Sequence, residues 1–172
     1  KKEERFFMKI SIITITYNSS ETVEETIRSV ISQNYPNIEY IIIDGASKDD
    51  TSTIVNSFGS KISVFVSEKD KGIYDAMNKG VALAKGEIIG ILNSDDFYAD
   101  ENVIRDVVQQ MQETGSDALY ADLDYVDQQD TKKIVRRWKT GPYRDGIFKQ
   151  GWMPPHPTIK IKKEAYEKFG MY

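Results

Sequence analysis

Two adjacent carboxylates, Asp95 and Asp96, follow the apolar run Ile88-Ile89-Gly90-Ile91-Leu92 and the polar pair Asn93-Ser94. Acids side by side at the mouth of a buried strand are costly, because isolated buried charge is avoided and like charges raise each other's pKa. A hard divalent cation bound to a phosphate relieves that cost. Magnesium commonly sits on one or two carboxylates plus substrate phosphates and keeps its remaining water ligands. The competing reading is that Asp95 or Asp96 caps the next helix. Matching chemistry in three other loops favours the cation: Thr16-Tyr17-Asn18, Asp44-Gly45 and the stretch from Glu68 to Asp75.

Those loops must be positioned by something, and the chain alternates strand and helix patterns. Ile10 to Thr16 is a β-branched run suited to a central strand. Ser19-Ser20 supply a helix cap, Glu21 and Glu24 its acidic first turn, and Val23, Ile27, Val30 and Ile31 one buried face. Tyr40 to Ile43 forms a second strand, a short helix runs from Asp50 to Phe58, and Ile62 to Val66 forms a third strand. Ile73, Met77, Val81 and Ala84 mark another helix, followed by the Ile88–Leu92 strand and an amphipathic helix through Val103, Val107, Val108 and Met111. Such alternation with uniformly apolar strands reads as a parallel sheet covered on both faces. Ligands of such sheets bind outside the carboxyl ends of the strands, and all four loops fall there. Beyond Gly115, Ala118 to Tyr125 reads as a strand with an antiparallel return over Lys133 to Trp138. A Gly/Pro-rich loop leads to Trp152 and His156, then a strand from Thr158 to Ile161 and a short helix to Phe169.

Composition narrows the function. The 172 residues are 40% hydrophobic and 29% charged, as in a globular domain. A net charge of -4 with no basic stripe argues against nucleic acid. The absence of cysteine excludes disulfides and thiolate chemistry, and a single histidine excludes a multi-histidine metal site. No apolar run approaches the length of a spanning helix. The expected location is cytoplasmic, with the inner face of a membrane as the alternative. Lys1 to Phe7 reads as a tail. No Gly-x-Gly-x-x-Gly follows the first strand, and there is no P-loop or Gly-x-Ser-x-Gly elbow.

Four motifs in order resemble the family-2 glycosyltransferases that build bacterial polysaccharides. They are Ile12 to Ser19, Ile43-Asp44-Gly45-Ala46-Ser47-Lys48-Asp49-Asp50-Thr51, Lys71 to Gly80, and Leu92-Asn93-Ser94-Asp95-Asp96. The resemblance implies a Rossmann-like single α/β domain of GT-A type, with a central, mostly parallel mixed sheet flanked by helices. Within it, 8–115 would be the nucleotide-binding half and 116–172 the acceptor-side half. The implied nucleotide-binding residues are Thr16, Tyr17, Asn18, Asp44, Asp75, Asn78, Asn93 and Ser94. Tyr17 would stack on the base, worth about 1–3 kcal/mol, though it could equally be a half-buried structural aromatic. Asp44 would accept a hydrogen bond from uracil, and Asp44→Asn is expected to weaken UDP binding while leaving folding nearly intact, as loop substitutions do. Its alternative is a turn residue before Gly45. Asp75 and Asn78, three apart on a helix, would share one side of the groove or a solvated face.

Asn93 replaces the first acid of the family's Asp-x-Asp motif. Asp95, the last, keeps the metal role with Mn²⁺ or Mg²⁺, and Asp96 would orient the loop or the acceptor side. His156 resembles a family histidine near the sugar or acceptor pocket that could meet metal or phosphate; Trp152 could stack on an acceptor sugar or plug the core. The implied activity is inverting transfer from a nucleotide-diphosphate sugar, most simply a UDP-sugar, to a saccharide or lipid-linked acceptor, with peripheral membrane association compatible with it. The family's usual base lies past a helix and turn matching Glu164 to Tyr172, so the chain reads as truncated before it, with Asp122 and Asp124 the best substitutes inside it and Asp96 a further catalytic candidate. The rival reading is a non-catalytic sugar-nucleotide-binding module of a larger assembly.

Overall fold

The computed structural model describes residues 8–172, and the expected tail at Lys1 to Phe7 lies outside them. Three strands whose residues are nearly all buried form the centre: β1 (Ile10–Thr16), β2 (Ile38–Asp44) and β4 (Ile88–Asn93). With β3 (Val64–Ser67) they run parallel. β8 (Lys160–Lys162) adds antiparallel to β4, and the short β5 (Ala118–Leu119) pairs with β8, giving the order β3-β2-β1-β4-β8-β5. This is the mostly parallel mixed sheet expected. β-branched residues fill it because it is covered on both faces, leaving no polar side to solvate.

Residue alternation assigns the faces. Ile10, Ile12, Ile42 and Ile88 pack with Val23 and Ile27 of α1 (Val23–Ile31), Val55 of α2 (Thr51–Ser57) and Ile104, Val108 and Met111 of α4 (Val103–Thr114). Ile13, Ile15, Ile41, Ile43, Ile89 and Ile91 meet Ala76, Met77 and Val81 of α3 (Ile73–Leu83). Two polar residues of β1 in the core are paired: Ser11 Oγ donates to Glu39 Oε2 at 2.6 Å, and Thr14 shares a 3.0 Å hydrogen bond with the Tyr40 hydroxyl.

Several elements differ from the sequence reading. The cap expected at Ser19-Ser20 is not used: α1 opens at Val23 behind Thr22, with Glu21 in the preceding turn. Ser19 and Ser20 instead give their N–H groups to Thr51 Oγ1 (2.8 Å) and Asp49 Oδ2 (3.0 Å), tying the loop after β1 to the loop after β2. Ile31 and Ile73 are exposed, because each sits at a helix end where no further turn completes the buried stripe. The strand expected from Ala118 to Tyr125 breaks at Tyr120 to Asp122. The strand expected from Thr158 starts only at Lys160, because His156–Thr158 coil into a 3-10 turn. That turn removes the partner for residues 120–122, so Ala121 gives its N–H to Thr158 Oγ1 at 3.1 Å instead. The chain then resumes as β6 (Leu123–Val126), paired with β7 (Ile134–Trp138) in a separate antiparallel hairpin. α5 (Lys163–Phe169) follows β8.

Candidate active site at the carboxyl edge of the sheet

β1 lies between β2 and β4, so the chain steps one way to β2 and β3 and then returns to the other side of β1. The strand order therefore switches at the β1–β4 seam, the usual place for a ligand crevice. Thr16 faces Asp44 in register and Asp44 faces Ser67, while Ile15 faces Asn93, so the loops expected to carry chemistry leave the sheet along one edge. Ser19 Oγ and Ser94 Oγ, 2.8 Å apart, join the loops across the seam.

On the β1–β2 side, Tyr17 is 58% exposed. Its ring lies over Gly45, where a Cβ would stand 3.3 Å from Tyr17 Cδ2 and 2.7 Å from Asp70 Oδ2. Glycine is needed there so that ring and carboxylate can approach the backbone. Asp70, half-buried, also accepts the Gly72 N–H at 2.9 Å. It lies in the Glu68–Asp75 stretch expected to carry chemistry but is not singled out there; the Asp-x-Gly turn before α3 is the local signal for it. Thr16 is buried and its hydroxyl has no partner among the described residues. Asn18 is a clamp: in the left-handed region (φ 49), it takes the Lys48 N–H on Oδ1 at 2.9 Å, and its own N–H goes to Ser47 Oγ at 2.8 Å. Asparagine tolerates that backbone better than most side chains.

Asp44 overturns the premise of a surface loop. It is fully buried, and its carboxylate accepts Ser47 N–H (3.0 Å), Ser52 Oγ (3.3 Å), Ser67 Oγ (2.6 Å) and the Ser47 hydroxyl. A carboxylate offers about four acceptor positions, and these donors engage it, so a uracil imino group would have to displace a serine hydroxyl.

At the β4 mouth the acids divide. Asn93 Nδ2 donates to Asp96 Oδ2 at 2.9 Å, holding Asp96 half-buried. Desolvation pushes the Asp96 carboxyl up; the Asn93 hydrogen bond opposes this, the Asp95 charge adds to it and His156 opposes it. Asp95 is exposed. Neither caps a helix, since α4 opens at Val103 behind Asn102. Among the described residues no group of three or more His, Asp or Glu side chains is assembled to hold a metal. One exposed carboxylate beside a second is the donor set a cation accepts when a diphosphate supplies further oxygens.

His156 sits in the 3-10 turn next to this mouth, with Nε2 buried and unpartnered. Burial holds its imidazole below the usual range; Lys160 adds to the effect and Asp96 opposes it. Lys160 is a second residue that sequence reasoning did not single out. It is fully buried, donates Nζ to the Pro157 carbonyl at 3.0 Å and lies over the Tyr98 ring at 5.5 Å. It crosses Gly90, its partner in register, where a Cβ would collide with Lys160 Cδ and Cε. A glycine inside an apolar strand signals such an approach, but only strand pairing names the partner.

Burial pulls the Lys160 ammonium down to about 8 from 10.5. Between those values the unfolded chain binds more protons than the folded one, so stability rises with pH there; below them the cost of the buried charge is fully present. Wild-type unfolding free energy should therefore gain on the order of 3 kcal/mol across that window relative to Lys160→Met. Denaturant titrations at several pH values check this, and parallel curves for the two proteins would refute it.

The remaining expected residues separate. Asp75 accepts the Lys71 N–H at 3.0 Å and pairs with Lys79 at 3.4 Å; those contacts, the N–H first, hold its carboxyl low. Asn78 clamps the backbone of Tyr172 from both sides, Nδ2 to its carbonyl at 2.9 Å and Oδ1 from its N–H at 3.0 Å. The two side chains thus have separate partners, Asp75 in the turn before α3 and Asn78 at Tyr172. Trp152 is packed among Tyr120, Tyr143 and Phe148 with its N–H on the Thr140 carbonyl at 2.9 Å, as a local core would place it. Asp122 is exposed and takes the Thr140 N–H on Oδ1 at 2.9 Å. The Ala121–Thr158 bond brings its loop to the His156 turn.

Comparison with known proteins agrees with this geometry. The sequence model of the family described as Glycosyl transferase family 2 matches residues 11–169. Glycosyltransferase GlyG of Streptococcus pneumoniae is 33% identical over 124 residues, covering 70% of this chain and 41% of the relative. The Escherichia coli UDP-Glc:alpha-D-GlcNAc-diphosphoundecaprenol beta-1,3-glucosyltransferase WfaP is 39% identical over 95 residues, covering 55% and 38%. The crystal structure of S. aureus TarS 1-349 in complex with UDP-GlcNAc superposes with a TM-score of 0.74 at 21% identity, over 94% of this chain and 47% of that one. The mannosyltransferase PcManGT of Pyrobaculum calidifontis, in complex with GDP-Man and Mn²⁺, gives 0.73 at 19%, over 98% and 48%. The chain thus spans about two fifths of these curated relatives and about half of these solved structures.

Proposed function

The chain belongs to glycosyl transferase family 2, and from that membership we propose that it moves a sugar from a UDP-sugar to a hydroxyl of a saccharide or lipid-linked acceptor, with inversion at the anomeric carbon. Its fold is of GT-A type. The observation that carries the reading is the unpartnered, buried Thr16 hydroxyl between exposed Tyr17 and the β1–β4 seam, with exposed Asp95 at the neighbouring strand end. A buried hydroxyl without a partner costs about 1–3 kcal/mol, a cost that a nucleotide in the crevice would remove.

In this reading the base stacks on Tyr17 beside Asp70, and Thr16 meets the nucleotide. Asp44 acts indirectly, holding the serines that shape the loop after β2. Asn93 serves by pinning Asp96. Asp95 would hold Mn²⁺ or Mg²⁺, which when bound supplies Lewis-acid neutralisation of the departing diphosphate. A carboxylate takes the acceptor hydroxyl proton as the new C–O bond forms on the face opposite the leaving group; the anomeric C–O bond breaks and its electron pair leaves with the diphosphate. Within the described residues Asp122 is our candidate base, since it is exposed and one hydrogen bond fixes its orientation. The name of WfaP, a UDP-Glc-dependent β-1,3-glucosyltransferase acting on a diphosphoundecaprenol-linked sugar, favours a UDP donor and a lipid-linked acceptor.

Sugar transfer from a panel of UDP-sugars, with Mn²⁺ or EDTA, tests the reading. Metal-dependent product should form, while UDP retention without transfer would leave a binding module. Asp122→Asn keeps an oxygen for the Thr140 N–H but removes the base, and should slow transfer by about 10²–10⁴-fold. An unchanged rate would put the base elsewhere.

A further inference from the structure

Charge is divided unevenly along this acidic chain. Residues 8–115 carry 9 basic and 17 acidic side chains, whereas residues 116–172 carry 11 and 8. The excess concentrates between Lys132 and Lys149, where seven basic residues stand against one acid, Asp145, and all seven are exposed. Acids on the opposite strand and turn answer part of this: Asp127 pairs with Lys133 at 3.4 Å and Asp124 with Arg137 at 3.7 Å. Lys139, Arg144 and Lys149 have no ion pair among the described residues.

Apolar side chains stand out among these cations. Val135 is 57% exposed, Phe148 57% and Met153 67%. Val135 is on β7, and Phe148 and Tyr143 pack against Trp152, which hydrogen-bonds the Thr140 carbonyl and precedes Met153. The β6–β7 hairpin lies outside the main sheet, and most of β7 is exposed.

We propose that the β7 strand and the loop from Lys139 to Met153 form a peripheral docking surface for an anionic lipid bilayer. Cations next to an anionic leaflet gain about 1 kcal/mol each. Aromatic and apolar side chains beside them enter the interface, where a rigid ring gains at little entropic cost. A soluble polyanion would meet the cations but offer no hydrocarbon to Phe148, Met153 and Val135, so the mixture favours lipid. No helix of the described residues is long and apolar enough to cross a membrane. The inference does not depend on the sugar transferred or on any catalytic residue.

Co-sedimentation of the full chain with vesicles of phosphatidylcholine alone, or mixed with phosphatidylglycerol, tests it. Binding is expected on the anionic vesicles only, and should weaken as salt screens the charges. Paired Lys139→Glu and Lys149→Glu should reduce binding at least about tenfold. So should paired Phe148→Ser and Met153→Ser, with UDP affinity and circular dichroism unchanged in both. Failure to bind anionic vesicles, or equal binding by the charge-reversed variant, would overturn the proposal. Loss on charge reversal but not on apolar substitution, with equal capture by soluble polyglutamate, would also overturn it and mark a polyanion site.

Discussion

Asp95→Ala is expected to bring UDP affinity in Mn²⁺ down to its value in EDTA, and to slow sugar transfer by at least about 10²-fold. The two carboxylates at the end of β4 are chemically unequal. Asp96 is half-buried and engaged by the Asn93 amide, whereas Asp95 is exposed at the strand mouth beside the seam. A cation shared with a diphosphate would therefore take Asp95 as its protein ligand. Charge stabilisation by such a cation is worth several kcal/mol in the transition state, and each 1.36 kcal/mol is about tenfold in rate. Calorimetry with UDP in the two buffers reads the binding effect without needing an acceptor. Asp96→Asn is the contrast, since an amide can still meet Asn93 and the metal dependence should survive. Equal UDP affinity of the wild type in Mn²⁺ and EDTA would remove the metal from this site.

The second large effect is on stability. Asp44→Ala should cost about 3 kcal/mol or more, because it strips the acceptor from Ser47, Ser52 and Ser67 at a fully buried position. The three hydroxyls can rotate, but the Ser47 N–H has no freedom to find another acceptor. Asp44→Asn keeps one oxygen and turns an amide N–H toward donors, so an intermediate loss of about 1–2 kcal/mol is expected. Urea unfolding should show a lower midpoint at unchanged slope for both variants. A loss below about 0.5 kcal/mol for alanine, the range of ordinary surface changes, would mean that the serine ring is not held by this carboxylate. The sequence reading placed discrimination between UDP and CDP on Asp44, whose carboxylate is instead engaged by Ser47, Ser52 and Ser67.

The sequence alone determined the alternation of strands and helices, the burial of both sheet faces and the placement of four polar loops at one edge. Those features follow from local periodicity and turn chemistry: β-branched runs of six or seven residues, apolar helical spacing, and Asp-Gly or Asn-Ser where strands end. The site's location was legible for the same reason, because a parallel sheet has only one edge where its strands end. The job of each polar side chain was decided by tertiary structure. Asn18 and Asp44 are occupied by donors from the loop after β2, and Asp44 also by Ser67 of β3. Asn78 is occupied by Tyr172, and Trp152 by a cluster that forms only when the chain beyond β7 folds back. Lys160 is buried because β8 enters antiparallel beside β4 and finds Gly90 opposite. A polar side chain takes whichever partner reaches it once water is excluded. Ser47 lies three residues from Asp44, but Ser67 for Asp44, Lys48 for Asn18, Tyr172 for Asn78 and Gly90 for Lys160 come from segments distant in sequence, so no local pattern names them.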